Sequence, residues 1–199
     1  MTAVFETTTA PVDLLRAVNI LLNSIGVDSV LSLNPSNLDK RAAQAKQAIE
    51  EASWMVQLDG WHFNTEEEVP LSPDSEGKIT LPVNTAKFAL GDRSADRDIT
   101  ERGGKLYDKA AFTEVFTKPI YANLTLIFEF SEVPLPIRNF ILHTAGVTYS
   151  AGRKPDSLQS RFTQANLDAA RNLAKQYDEE VRNKLSPEVN GHFQTFGRR

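Results

Sequence analysis

The chain has 199 residues, 41% of them hydrophobic and 24% charged, with a formal charge of −4. That balance is the balance of a folded globular protein and excludes a disordered chain, and the length suits one domain or two small modules sharing a core. The absence of cysteine excludes disulfides and thiolate metal sites, and fits assembly in a reducing cytoplasm.

The first residues, Met1 to Pro11, have no basic flank and no long apolar stretch, so they predict no cleaved secretory leader. From Val12 to Ile25 apolar residues fall at Val12, Leu15, Val18, Leu22 and Ile25, the stripe of an amphipathic helix. Gly26 follows as its C-cap, where a left-handed residue is favoured. Asn34-Pro35-Ser36-Asn37 supplies turn and cap chemistry. A second helix is predicted from Leu38 to Leu58. Its stripe is Leu38, Ala42, Ala45, Ile49, Ala52 and Val56, and its alanines leave room for another helix to approach closely. Gly60 ends it.

Between Trp61 and Glu132 the pattern changes to short apolar runs split by Pro, Gly and Asp. Strands are expected at Lys78–Leu81, Lys87–Leu90, Leu106–Tyr107, Val115–Phe116 and, most clearly, Leu124–Phe130, with Arg102-Gly103-Gly104-Lys105 as a tight turn. That last run is about half of what a membrane span requires, which predicts a soluble chain. Val133-Pro134-Leu135-Pro136 returns the chain to helix, since proline is tolerated in a first turn. Ile137, Phe140, Ile141, Ala145 and Thr148/Tyr149 form its stripe. After a loop at Ala151-Gly152-Arg153-Lys154, a long helix is predicted from Pro155 to Lys184, roughly 45 Å in length. Its expected buried face is Leu158, Phe162, Ala165, Ala169, Leu173, Tyr177 and Val181.

These elements predict an α+β fold. A four-helix bundle built from residues 1–60 and 133–186 is interrupted by a small antiparallel β-module at 61–132, and an extended C-terminal arm covers 187–199.

Charge is distributed unevenly: residues 1–150 carry 13 Lys+Arg against 20 Asp+Glu, and residues 151–199 carry 9 against 6. No dense basic patch marks a sequence-reading DNA binder. An acidic surface repels phosphates and suits a passage for DNA better than a grip.

Catalytic patterns lose to simpler readings throughout. His62, His143 and His192 are far apart and match no metal-ligand spacing, so no metal site is expected. There is no Gly-x-Ser-x-Gly elbow, and Gly103-Gly104 lacks the Gly-Lys-Ser/Thr ending of a phosphate loop. Glu66-Glu67-Glu68 could serve a glycoside hydrolase, which needs two carboxylates at fixed separation across a groove. Beside Pro70 the run reads more simply as a solvated loop. Trp54, Trp61 and Phe63 bracket the helix-to-β junction, and core residues joining the modules are favoured over a sugar platform. Arg198 and Arg199 could touch phosphates or pair with acids of another subunit.

The order of certain strings carries a resemblance across Val12 to Val181. They are Ala17-Val18-Asn19-Ile20-Leu21 running to Ser24-Ile25-Gly26, then Gly60-Trp61-His62-Phe63-Asn64 with its acidic follower. Arg102-Gly103-Gly104-Lys105-Leu106-Tyr107-Asp108 comes next, and Leu135-Pro136 then opens a helix leading to Tyr149–Arg153. In this the chain resembles the tail tubular protein A family, the adaptor or gatekeeper of T-seven-like short-tailed phages. The first ten residues and those after Ser186 fit the pattern poorly.

The resemblance implies a virion tail protein, present in the host cytoplasm before assembly. It implies a ring of twelve copies between the portal protein and the tail nozzle, with double-stranded DNA passing through the lumen unread. It brings no membrane, no cofactor and no catalytic residue. A ring subunit must present two different complementary faces. On the last helix Arg161, Arg171, Lys175 and Arg182 alternate with Asp168 and Asp178, a pattern that would set register between neighbours; a solvated face with internal pairs is the competing reading. Two other functions stay open: a virion-associated glycan hydrolase using Glu66 to Glu68, and a monomeric helical interaction module.

Overall fold

A computed structural model describes residues 13–151 and 162–185. Among them the chain is α+β, with helices α1 (Leu14–Ser24), α2 (Lys40–Gln57), α3 (Leu135–Ser150) and α4 (Gln164–Leu185). Strands β1 (Thr65–Leu71), β2 (Thr85–Leu90) and β5 (Ile120–Leu126) form one antiparallel sheet in the order β1-β5-β2. Strands β3 (Ile99–Arg102) and β4 (Lys105–Asp108) form a separate hairpin. The chain divides into two compact units, one holding residues 1–56 and 129–174, the other 57–128 and 175–199. No described helix is long and apolar enough to cross a membrane.

In the first unit, Asp13 caps α1 by accepting a 2.7 Å hydrogen bond from Arg16 N. Gly26, at φ +72°, ends it with the paired bonds Val27 N to Leu22 O and Gly26 N to Asn23 O. This is the left-handed cap expected of that glycine. Ala17, Val18, Leu21 and Leu22 are buried, and α1 packs on α3. On α2 the buried row is Ala42, Ala45, Ile49, Ala52 and Val56, the predicted stripe without Leu38, which lies ahead of the helix. Along α3, Ile137, Phe140, Ile141, Ala145 and Tyr149 are buried as expected, while Thr148 is exposed. The Tyr149 hydroxyl donates to Arg41 O at 3.1 Å. Gly146 is required by packing, because a Cβ there would lie 2.1 Å from the ring of Phe162.

Part of the predicted face is enclosed, with Phe162 buried just ahead of α4 and Tyr177 and Val181 half-buried, and the rest differs. Ala170 and Ala174 are buried and Leu167, Tyr177, Asp178 and Val181 half-buried, whereas Ala165, Ala169 and Leu173 are exposed. Both rows have spacings of three and four, and the sequence does not distinguish an alanine row that packs from one that faces water. The predicted start at Pro155, with Leu158, lies outside the described residues, as do Val12 and the C-terminal arm.

In the second unit, Leu71, Ile79, Leu81, Ile99, Leu106, Phe116, Ile120, Ala122 and Leu124 form one apolar cluster. Several strand boundaries depart from expectation. Glu66 to Glu68 lie in edge strand β1 rather than in a loop, since an edge tolerates both charge and Pro70. Residues 78–81 make only a single bridge, Thr80 to Lys105. Pro82 has no N–H with which to continue the ladder. Val115 and Phe116 form no strand, and Phe116 N bonds instead to Gly77 O at 2.7 Å. The central strand runs Ile120–Leu126, not Leu124–Phe130. Beyond it the Gln57 side chain replaces a neighbouring strand, taking Phe128 N at 2.9 Å and Phe128 O at 3.0 Å. The turn at Gly103-Gly104, with φ of +58° and +78°, joins β3 to β4 as the sequence indicates.

Candidate assembly interface

The Gly60–Asn64 string owes its residue types to buried hydrogen bonding. Asn64 is fully buried; its Oδ1 accepts from Trp61 N at 2.8 Å, and its Nδ2 donates to Gln57 O at 3.0 Å and Leu126 O at 2.8 Å. Gly60 sits at φ +79°, which a larger residue resists. Trp61 is buried, and Phe63 is half-buried with its ring centroid 6.0 Å from that of Phe128. Trp54 does not share that environment. It is 53% exposed on α2 beside exposed Met55, off the row that packs, so the core role suggested for it is wrong.

The charged residues nominated on the last helix fall into two groups. Asp178 and Arg182 are committed within the second unit: Asp178 Oδ1 accepts from His62 N at 2.6 Å and its Oδ2 from Arg182 Nε at 2.8 Å. Arg182 Nη2 also reaches Gly60 O at 3.3 Å. Together they clamp the turn that carries Trp61. Asp168, Arg171 and Lys175 are exposed; Asp168 accepts from Gln164 Nε2 at 3.0 Å, and the Arg171 guanidinium lies 5.3 Å from the Phe140 ring centroid. Arg161 lies outside the described residues.

Carboxylates are likewise accounted for. Glu66 and Glu67 are exposed. Glu68 stands at φ +54° in a bulge of β1, its N–H bonded to Asn123 Oδ1 at 2.9 Å. Its carboxylate accepts from Asp92 N and lies 3.7 Å from Arg93 Nε. It therefore caps the short 3-10 turn Asp92–Ser94. Among the described residues no group of three or more His, Asp or Glu could hold a metal ion. His62 is exposed, His143 packs edge-on against Phe162 at 5.5 Å, and His192 lies outside the described residues.

One feature of the second unit escaped sequence reasoning. Asp108 is buried, and its carboxylate accepts from Ala110 N (3.0 Å), Ala111 N (2.9 Å) and Arg97 Nη2 (3.0 Å). The Ala111 N–H and then Arg97 hold its acid below the usual carboxylate range despite the opposing effect of burial. The loop it organises presents Phe112 to solvent at φ +54°. The readable signal was Tyr107-Asp108 closing the Arg-Gly-Gly string. Arg102 stacks over Tyr107 at 3.7 Å, the glycines make the turn, and Asp108 anchors the loop that leaves β4.

Comparison with known proteins points to one family. A protein-family model described as "Tail tubular protein" matches residues 15–184. The tail tubular protein A of Klebsiella phage KP34 is 28% identical over 120 residues, which is 60% of this chain. That stretch spans 62% of the relative's own length. With the family model covering the described helices and both sheets, this chain belongs to the tail tubular protein family, a family of phage tail structural proteins.

Proposed function

We propose that this protein is the ring-forming adaptor of a short-tailed phage tail, seated between portal and nozzle and lining the route by which DNA leaves. The observation that carries this reading is the family match over residues 15–184. The helices act as one four-helix bundle and residues 61–132 as the docking β-module. Asp168, Arg171 and Lys175, which face outward on α4, supply register between copies. Asp178 and Arg182 are better suited to holding the Trp61 turn, given their internal bonds. The net acidity of residues 1–150 favours passage of DNA over retention.

No chemical step belongs to this function. A glycan hydrolase centred on Glu66 to Glu68 is disfavoured because the Glu68 carboxylate is occupied by Asp92 N while Glu66 and Glu67 sit on an exposed strand edge. The test is to mix the purified protein with portal dodecamers and image the product by electron microscopy. A belt of this subunit below the portal is expected. Portal particles without it, or glycan cleavage abolished by Glu67→Gln or Glu68→Gln with assembly intact, would overturn the reading.

A further inference from the structure

Two sets of bonds hold the turn that carries Trp61, and they differ in kind. One set is internal. The buried Asn64 side chain ties together Trp61 N, Gln57 O and Leu126 O, and Gly60 N donates to Gln57 O at 3.2 Å. The other set comes from α4: Asp178 Oδ1 accepts from His62 N, and Arg182 Nη2 donates to Gly60 O. Both of these bonds lie at exposed positions.

Residues 175–185 of α4 belong to the same compact unit as this turn. Little apolar surface fastens them there. None of residues 175–184 is buried; Tyr177, Asp178 and Val181 are half-buried and the others are exposed. In the apolar cluster of the same unit, by comparison, Leu106, Ile120 and Ala122 are fully enclosed. Beside the turn, Asp59, Trp61, Lys175 and Glu179 border a cleft of about 480 Å³, which leaves the contact only partly packed. An element with few buried apolar contacts and exposed bonds opens at a lower free energy than a core.

We infer that residues 175–185 form a strap that leaves the Trp61 turn as a unit while the sheet and the turn stay folded. Opening frees Gly60 O and His62 N–H and widens the cleft beside Trp61. The turn keeps its shape, because the bonds of Asn64 and of Gly60 N involve no residue of α4. The pair Arg182 Nε to Asp178 Oδ2, at 2.8 Å, lies wholly on α4 and so does not resist release. Asp178 is the main fastening, since it accepts from the turn and also orients the arginine that reaches Gly60. Whatever binds Gly60 O or His62 N–H favours the open form, and whatever binds α4 where it lies favours the closed one.

Amide hydrogen exchange of the full-length protein, resolved by NMR in low concentrations of urea, tests this. Once undocked, a helical stretch of this length is marginal in water, so its amides lose protection together with His62. Amides of residues 179–185 and of His62 are expected to exchange faster than those of Ala122 and Leu124 in β5, with a weaker dependence on urea. Asp178→Ala should speed His62 exchange about tenfold or more, the scale of a lost hydrogen bond to a charged group, and Arg182→Ala should act less in the same direction. Ile120→Val, a mild change in the apolar cluster, should speed β5 exchange about twofold to tenfold. It should leave the strap and His62 unchanged, because open and closed forms share that cluster. Strap amides that follow Ile120→Val by the same factor as β5 open only with the whole unit, which overturns the inference. His62 exchange that ignores Asp178→Ala, or that stays slow while residues 179–185 exchange, marks a fraying helix end and overturns it too.

Discussion

Replacing Asn64 with alanine removes three hydrogen bonds from a fully buried position, two donated to carbonyls and one accepted from Trp61 N. A typical buried hydrogen bond contributes about 1 kcal/mol net, and a polar group left unsatisfied costs about 1–3 kcal/mol. Gln57 O keeps a second partner in Gly60 N at 3.2 Å, so its loss is the mildest of the three. The sum is about 3–4 kcal/mol, a large share of the ordinary stability of a domain. For a chain of this size it corresponds to a fall in Tm of roughly 6–16 °C. Urea unfolding followed by tryptophan fluorescence reports it directly, with Trp61 buried beside the site. Asn64→Asp separates hydrogen bonding from packing, because it keeps the shape but points a carboxylate at the carbonyls of Gln57 and Leu126. That raises the folded acid's pKa, so the variant gains stability as pH falls. An Asn64→Ala variant within about 1 kcal/mol of the parent, at an unchanged m-value, would refute the assignment of this asparagine as the node of the turn.

Gly146→Ala drives a methyl into Phe162 and should cost about 1–3 kcal/mol, measured by calorimetry; an unchanged melt contradicts the packing described. Asp108, held below its ordinary pKa, contributes stability that is present above the unfolded value near 3.9 and lost as pH falls through the lower folded value. The stability gap between the parent and Asp108→Asn should therefore narrow in acid, and a gap constant from neutral pH to pH 3 contradicts the argument. Asp178→Ala should cost about 1–2 kcal/mol by releasing His62 N, and Arg182→Ala less, since its side chain is half-exposed; the reverse order in urea melts counts against the clamp.

Periodicity made the helices legible, and Gly26 gave the end of α1 almost to the residue. The row Ala42, Ala45, Ile49, Ala52 and Val56 was readable because Ile49 and Val56 anchor it; on α4 the two candidate rows differ chiefly in alanines, Ala165 and Ala169 against Ala170 and Ala174, and Leu173 lay on the exposed one. The hairpin was visible in its two glycines. Edge strand β1 was hidden because Glu66 to Glu68 and Pro70 are residues that only an edge accepts. The end of β5 was hidden because Gln57, some seventy positions away, decides it through its side chain. Tryptophan is a poor guide by itself: Trp61 is enclosed in the turn after α2, while Trp54 is wet, on α2 but off the row that packs.

Edge strand β1 also bears on how copies tolerate crowding. Its outer margin combines two exposed carboxylates, a kink at Glu68 and a proline lacking a donor. Such a border repels a like strand, breaks its spacing and withholds one of its bonds. Chains crowded together are thereby steered away from pairing backbone to backbone into fibres.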